Sequence, residues 1–316
     1  MAIHPDPYVR LPTAGHKTTL IILHGTSQTG PKFAEAFLPT RFSPPPPPTP
    51  PPSDRLATSS ASHVSHEKVS LPEYFPSCKF VFPTGAPRRT TVFGGRETNA
   101  WFDITDFGDR TKGEMNMIEG MRDSSLYLAD LVRKEIEALN GEGEKGNGSN
   151  GNVVIAGFSQ GSAMCSMLLL GGELQRQGLV GHLGAFIGLS GWLPFRRQIE
   201  GIISRESQKL SDGDGAAAVR DATTIYIRGL LGLDDVDGEW KPNAETCRVP
   251  IFLGHGELDV KMRFEWGEQL SGALKQLGME VHFKLYAGLE HWWGEQEMTD
   301  VAEFLDQKSH VEGEFV

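Results

Sequence analysis

The apolar positions of the chain fall into two alternating patterns. Short, nearly continuous apolar runs occur at Thr18-Thr19-Leu20-Ile21-Ile22-Leu23, Lys79-Phe80-Val81-Phe82, Val153-Val154-Ile155-Ala156, Ala185-Phe186-Ile187-Gly188-Leu189, Ile251-Phe252-Leu253 and Val281-His282-Phe283-Lys284-Leu285-Tyr286. Such runs, rich in β-branched and aromatic residues, predict strands buried on both faces, as in a parallel sheet. Between them the apolar spacing changes to three and four. Leu128, Leu131, Val132, Ile136 and Leu139 make one stripe; Trp266, Leu270, Leu274 and Leu277 make a second; Met298, Val301, Phe304 and Leu305 make a third. Each stripe predicts an amphipathic helix. Alternating strands and helices predict an α/β fold: a mostly parallel, doubly wound sheet with helices on both faces and its site at the carboxyl ends of the strands.

Glycine and proline locate the breaks in this pattern. Of the 20 prolines, eight lie within Pro44 to Pro52, followed by a Ser/Ala/His-rich stretch to Glu67. Proline has no amide hydrogen and favours extended backbone, so residues 42–67 are expected to be an exposed insertion. Residues 141–152, rich in Gly, Asn and Glu, read as a flexible linker. Residues 204–246 are polar and acidic but enclose Ile225-Tyr226-Ile227 and Leu230-Leu231, a candidate short helix and lid. Without these three segments roughly 235 residues remain, the size of one α/β domain, so a single domain with three insertions is expected.

The 30 basic against 41 acidic side chains give a net charge of −11. That balance argues against nucleic acid, which needs a concentrated positive footprint, and against general attraction to anionic membranes. No apolar run is long enough for stable membrane insertion. Three sparse cysteines, Cys78, Cys165 and Cys247, together with a polar N-terminus lacking a secretory pattern, are expected of reduced thiols in the cytoplasm.

The chemistry is carried by turns. Val153-Val154-Ile155-Ala156-Gly157-Phe158-Ser159-Gln160-Gly161-Ser162 runs from a buried strand through Gly-x-Ser-x-Gly into helix-forming residues. That context forms a nucleophile elbow, with Ser159 at the apex. A serine hydroxyl needs an adjacent base, itself oriented by an acid. Downstream, Ile251-Phe252-Leu253-Gly254-His255-Gly256-Glu257-Leu258-Asp259 ends in a turn carrying an acid, and Leu285-Tyr286-Ala287-Gly288-Leu289-Glu290-His291 ends in one carrying a histidine. The order Ser159, Asp259, His291 is that of α/β-hydrolases. Glu257 rivals Asp259, whereas His255 reads as a structural residue shaping the acid's loop. Developing negative charge on the substrate oxygen calls for two amide donors. These are assigned to Gln160, after the nucleophile, and to Thr26 in Leu23-His24-Gly25-Thr26.

With these residues the chain resembles the phospholipase/carboxylesterase family of α/β-hydrolases, which contains the acyl-protein thioesterases. The resemblance runs from about Thr19 to Leu305 outside the insertions. It rests on Leu23-His24-Gly25, Trp101-Phe102-Asp103, Gly157-Phe158-Ser159-Gln160-Gly161, Leu189-Ser190-Gly191-Trp192-Leu193-Pro194, His255-Gly256 with Asp259, and Gly288-Leu289-Glu290-His291 with Gln296-Glu297-Met298. It implies hydrolysis of carboxylic esters or thioesters, S-acylated proteins among the candidate substrates, with no metal or organic cofactor. Ser159 would be nucleophile, His291 the base and acid, Asp259 its orienting partner, and Thr26 and Gln160 the oxyanion hole. Trp101 and Trp192 would shape the substrate region, with core packing as the other reading. Thr26-Ser27-Gln28, Val260-Lys261-Met262 and Trp292-Trp293 depart from the family pattern. They leave a small-molecule carboxylesterase without a protein substrate as the alternative, and a non-catalytic binding protein on a hydrolase scaffold as a third reading.

Overall fold

The computed structural model describes residues 2–45, 67–142, 152–209, 215–233 and 240–308. The proline-rich run beyond Pro45, His63, His66, most of the Gly/Asn-rich linker, and Asp234, Asp235 and Asp237 lie outside them. In chain order the strands are β1 (Tyr8–Arg10), β2 (Thr18–Leu23), β3 (Cys78–Phe82), β4 (Pro87–Thr90), β5 (Arg96–Asn99), β6 (Asn152–Phe158), β7 (Leu183–Leu189), β8 (Ile251–Gly256) and β9 (Val281–Tyr286). The helices are α1 (Gly30–Phe37), α2 (Leu71–Tyr74), α3 (Ile118–Glu142), α4 (Gln160–Leu170), α5 (Glu173–Arg176), α6 (Arg196–Lys209), α7 (Gly215–Leu231), α8 (Phe264–Gln276) and α9 (Glu295–Lys308).

Seven strands form one sheet in the order β1-β3-β2-β6-β7-β8-β9. All neighbours pair in parallel except the β1–β3 pair at one edge. The chain leaves β2 toward β3 on one side and later returns through β6 toward β9 on the other. The strand order therefore reverses between β2 and β6, and a crevice opens beyond their carboxyl ends. Leu23 pairs with Gly157 at the end of that ladder, so the loop after Leu23 and the elbow after Gly157 are neighbours.

Side-chain alternation sends each central strand to two cores. Ile21, Leu23, Val153 and Ile155 pack with α3, α4, α6, α7 and α8 on one face. Leu20, Ile22, Val154 and Ala156 pack with α1, α2 and α9 on the other. Two-sided burial is why these strands read as continuous apolar runs. Helix α4 is buried along all eleven residues, which leaves it without an amphipathic stripe.

Several elements escape the apolar pattern. Strand β1 is three exposed residues. The β4–β5 hairpin is polar and closes through Gly94 and Gly95, both at positive φ. The largest departure is in 204–246, expected to be loop-like outside 225–231. There α6 continues to Lys209, and α7 starts ten residues before Ile225, at Gly215. Its inward face at Val219, Thr223, Ile227 and Leu231 keeps helical spacing, with Arg220 and Arg228 also buried. Arg228 is satisfied by Glu173 at 3.3 Å and lies over the Trp240 ring. Buried polar residues break the hydrophobic signal that would have marked this helix. Ile225 is exposed.

The flanks of the proline-rich segment are tied together, since Phe42 and Val69 exchange both backbone hydrogen bonds. Cys78, Cys165 and Cys247 are free thiols. No helix among the described residues is long and apolar enough to cross a membrane.

Candidate active site

The turn after β6 holds Ser159 at φ 54° and ψ −116°, backbone that a non-glycine residue adopts only when its surroundings impose it. The surroundings are specific. The Ser159 amide donates to Leu189 O at 2.8 Å, and its carbonyl accepts from the Ala163 amide. A Cβ at Gly157 would stand 2.3 Å from the Gly161 carbonyl carbon, and one at Gly161 would stand 2.3 Å from Leu23 O. Both motif glycines thus permit backbone to meet backbone, and Gly161→Ala is expected to destabilise the fold by about 3 kcal/mol in urea unfolding.

Asp259 follows β8 in a turn that its own side chain organises. Oδ1 accepts from the amides of Lys261 at 3.0 Å and Met262 at 2.8 Å. Oδ2 lies 2.7 Å from His291 Nδ1, so the imidazole donates Nδ1–H to the carboxylate. His255 Nε2 is 3.5 Å from the same oxygen and 2.7 Å from Met262 O. Burial alone would raise the carboxyl's pKa. Hydrogen bonds from His255 and His291, the His291 charge and the Met262 amide outweigh it and hold Asp259 well below the usual carboxylate range. Glu257, its rival in the sequence, is exposed.

Ser159 and His291 open onto one cleft of about 580 Å³. Phe158 packs its ring on His291 at 4.8 Å. Phe93, Phe107, Val260 and Trp292 supply apolar walls, and Thr26 lines the side formed by the β2 loop. That loop approaches Ser159 closely: a Cβ on Gly25 would lie 3.5 Å from Ser159 Cβ. No hydrogen bond among the described residues uses the backbone amide of Thr26 or Gln160. Trp292 stacks on buried Trp293 at 4.0 Å, and Trp293 donates to Thr40 Oγ1. No residue of α7 lines the cleft. Packing of that helix on α3, α4 and α6 replaces the lid expected for 225–231.

Trp101 and Trp192 are both buried core residues that do not line the Ser159 cleft, although Trp192 lines the cavity that adjoins it at Arg110. Trp101 Nε1 donates to His24 O at 2.9 Å, and its amide donates to Gln160 Oε1. Gln160 Nε2 in turn donates to Phe102 O. Trp101 therefore ties the loop after β2 to the start of α4 from beneath, where its indole N–H finds a backbone partner. His24 completes the join: its Nδ1 donates to Gly25 O, and its Nε2 accepts from the Gly85 amide. Burial lowers the His24 pKa to about 4, in keeping with the neutral ring that this acceptance requires. Trp192 packs edge-on to Phe102, and Asp103 accepts from the amide and hydroxyl of Thr91.

Two notable residues carried no chemical assignment from the sequence. Arg110, on the cleft wall, has no motif around it. Glu297, in the first turn of α9, is 1% exposed and directed at the Gly254 backbone of β8. Burial, with a contribution from the Asp300 charge, pushes its carboxyl up to about 8 against the effect of the Gly294 backbone. The folded protein thus keeps a proton that the unfolded chain releases above about pH 4.3, so stability falls as pH rises from there to about 8. Glu297→Gln is expected to gain about 4–5 kcal/mol over wild type at pH 8 and nothing at pH 4, read from denaturation at both pH values.

A family profile described as Phospholipase/Carboxylesterase matches residues 59–211 and 229–309. The acyl-protein thioesterase 1 of Debaryomyces hansenii is 27% identical over 233 residues, covering 73% of this chain and 76% of the relative. That of Yarrowia lipolytica is 24% identical, covering 96% and 97%. Among solved structures, acyl-protein thioesterase 2 of Zea mays superposes with a TM-score of 0.59 at 21% identity, covering 96% of this chain and 98% of its own.

Proposed function

The chain belongs to the phospholipase/carboxylesterase family, and from that premise we propose that it cleaves carboxylic esters or thioesters through an acyl-enzyme on Ser159. The observation that carries this reading is the 2.7 Å pairing of His291 Nδ1 with a buried Asp259 carboxylate, in a ring that shares its cleft with Ser159.

With Nδ1–H committed to Asp259, the free lone pair of His291 is on Nε2. It takes the Ser159 proton as Oγ attacks the substrate carbonyl. Negative charge gathers on the carbonyl oxygen, where the amides of Thr26 and Gln160 donate to it; Gln160 also contributes the N-terminal end of α4. Collapse breaks the carbon–oxygen or carbon–sulfur bond, and His291 returns the proton to the departing alcohol or thiol. Water then repeats the sequence on the acyl-enzyme, releasing the acid and restoring Ser159. Asp259 stays ionised throughout, steadying the imidazolium without taking its proton.

The apolar walls of Phe93, Phe107, Val260 and Trp292 suit an acyl chain, and S-acylated proteins are within the substrate class. Trp292 favours a second reading, because its bulk beside His291 narrows the cleft toward short acyl groups and hence small-molecule esters. A fluorophosphonate probe is expected to label Ser159 once per chain, and turnover of acetyl, octanoyl and palmitoyl thioesters to rank the two readings. Folded protein that takes up no label would refute the acyl-enzyme.

A further inference from the structure

Beyond the Ser159 centre, the least conventional side chain is Arg110. It is only 9% exposed, yet no carboxylate among the described residues forms an ion pair with it. Nη2 donates to Met262 Sδ at 2.8 Å, Nη1 reaches Asp106 O at 3.4 Å, and Nε has no partner among the described residues. The guanidinium instead lies over three aromatic rings: Trp192 at 4.7 Å, Phe107 at 5.1 Å and Trp266 at 5.6 Å. Burial lowers its pKa to about 10, opposed by the charges of Asp106 and Asp259, so it remains a cation at neutral pH. Burying an unpaired cation is costly, and the cation–π contacts return only part of that cost. A charge held at such expense, with a donor left over, is poised for an anion that is not part of the chain.

Its position says where that anion would sit. Arg110 and Gly108 form a wall common to the Ser159 cleft and to a second cavity of about 310 Å³. Arg196, Arg197 and Arg263 also line this cavity, along with Asp109 and Glu114. In a chain of net charge −11, four arginines around one cavity reverse the overall sign locally. The excess is small, however. Arg196 is engaged by Glu200 at 2.6 Å, and Asp109 and Glu114 offset two of the remaining three. One net positive charge suits a monoanion, and a planar guanidinium suits a carboxylate.

We propose that this cavity is a carboxylate subsite, so that the preferred substrate is an ester or thioester bearing a carboxylate a short chain away from the scissile carbonyl. The inference rests on the hydrolase reading of Ser159 and adds its substrate class. Arg110 binds the carboxylate and takes no part in bond making.

The test compares matched substrates on the full chain, each rate taken over the uncatalysed one. On the acyl side the pair is p-nitrophenyl pentanoate and p-nitrophenyl hemiglutarate. On the leaving-group side it is propyl butyrate and the butyryl ester of 3-hydroxypropionate, with the butyryl ester of 2-hydroxyethyl phosphate as a third arm. Wild type is expected to show about tenfold higher kcat/KM for the carboxylate member of one pair, mainly through KM and weakening with added salt. Arg110→Gln is expected to bring that ratio to about one. Should this variant not fold, Arg263→Gln, at an exposed position, is expected to lower the ratio about threefold. A wild-type ratio of one or less on both sides overturns the subsite, as does a ratio indifferent to the folded variant. Stronger preference for the phosphate than for either carboxylate overturns the assignment of the anion. Fluorophosphonate labelling separates the levels: Ser159 labelled without a carboxylate preference removes the subsite alone, whereas no labelling removes the hydrolase reading beneath it as well.

Discussion

Ser159→Ala is expected to lower kcat for a p-nitrophenyl ester by about 10⁴- to 10⁶-fold while leaving a folded protein. The size follows from the division of labour at the site. Without Oγ there is no acyl-enzyme, and His291 has no nucleophile to deprotonate. The amides of Thr26 and Gln160 and the apolar cleft persist, so a residual rate above that in water should survive. Stability should change little or improve, because Ser159 holds φ 54° without a side-chain cap hydrogen bond and alanine adopts that backbone no worse. The measurement is a steady-state assay beside a thermal melt, with fluorophosphonate labelling expected to vanish in the variant. A variant that kept more than a few per cent of wild-type turnover would transfer the nucleophile's role elsewhere.

Asp259→Asn is expected to cost about 10⁴-fold in kcat. An amide in that position can turn its NH2 toward His291 Nδ1, leaving the ring in the wrong tautomer, and it offers no charge to steady the imidazolium. Because the carboxyl is held below its usual range, it stays ionised throughout pH 4 to 8, and any acid limb in the rate profile in that window belongs to another group. The same depression contributes stability that is complete above about pH 4 and is lost as pH falls through the folded value. The asparagine variant should therefore be less stable than wild type by about 2 kcal/mol at pH 7, with the gap closing in strong acid. Glu257→Gln is the control. An exposed residue should change kcat less than twofold, and a large loss there would return the acid's role to Glu257.

Much of the proposed site was legible in the sequence because its signals are local. A buried strand, a glycine-flanked serine and a helix form one contiguous stretch around Ser159, and the turns bearing Asp259 and His291 each follow their own strand. The choice of Asp259 over Glu257 was less local. Two residues apart on one turn, they differ in which one faces His291 and the amides of Lys261 and Met262. Trp101 illustrates the opposite failure. An aromatic near catalytic motifs suggests substrate contact, but its indole N–H and amide are taken by His24 and Gln160, from segments far along the chain.

The sequence by itself determined the central strands, helices α3, α8 and α9, the mostly parallel doubly wound class and the chain order of the turns that carry Ser159, Asp259 and His291. Each of those depends on periodicity or on turn chemistry within a dozen residues. Tertiary structure alone decided that α7 packs on its neighbours with no residue on the cleft, that Glu297 is buried as an acid that retains its proton, and that Arg110 stands charged between two cavities without an ion pair among the described residues. These outcomes depend on desolvation and on partners brought from remote positions, and a residue's own neighbours in the chain carry no record of either.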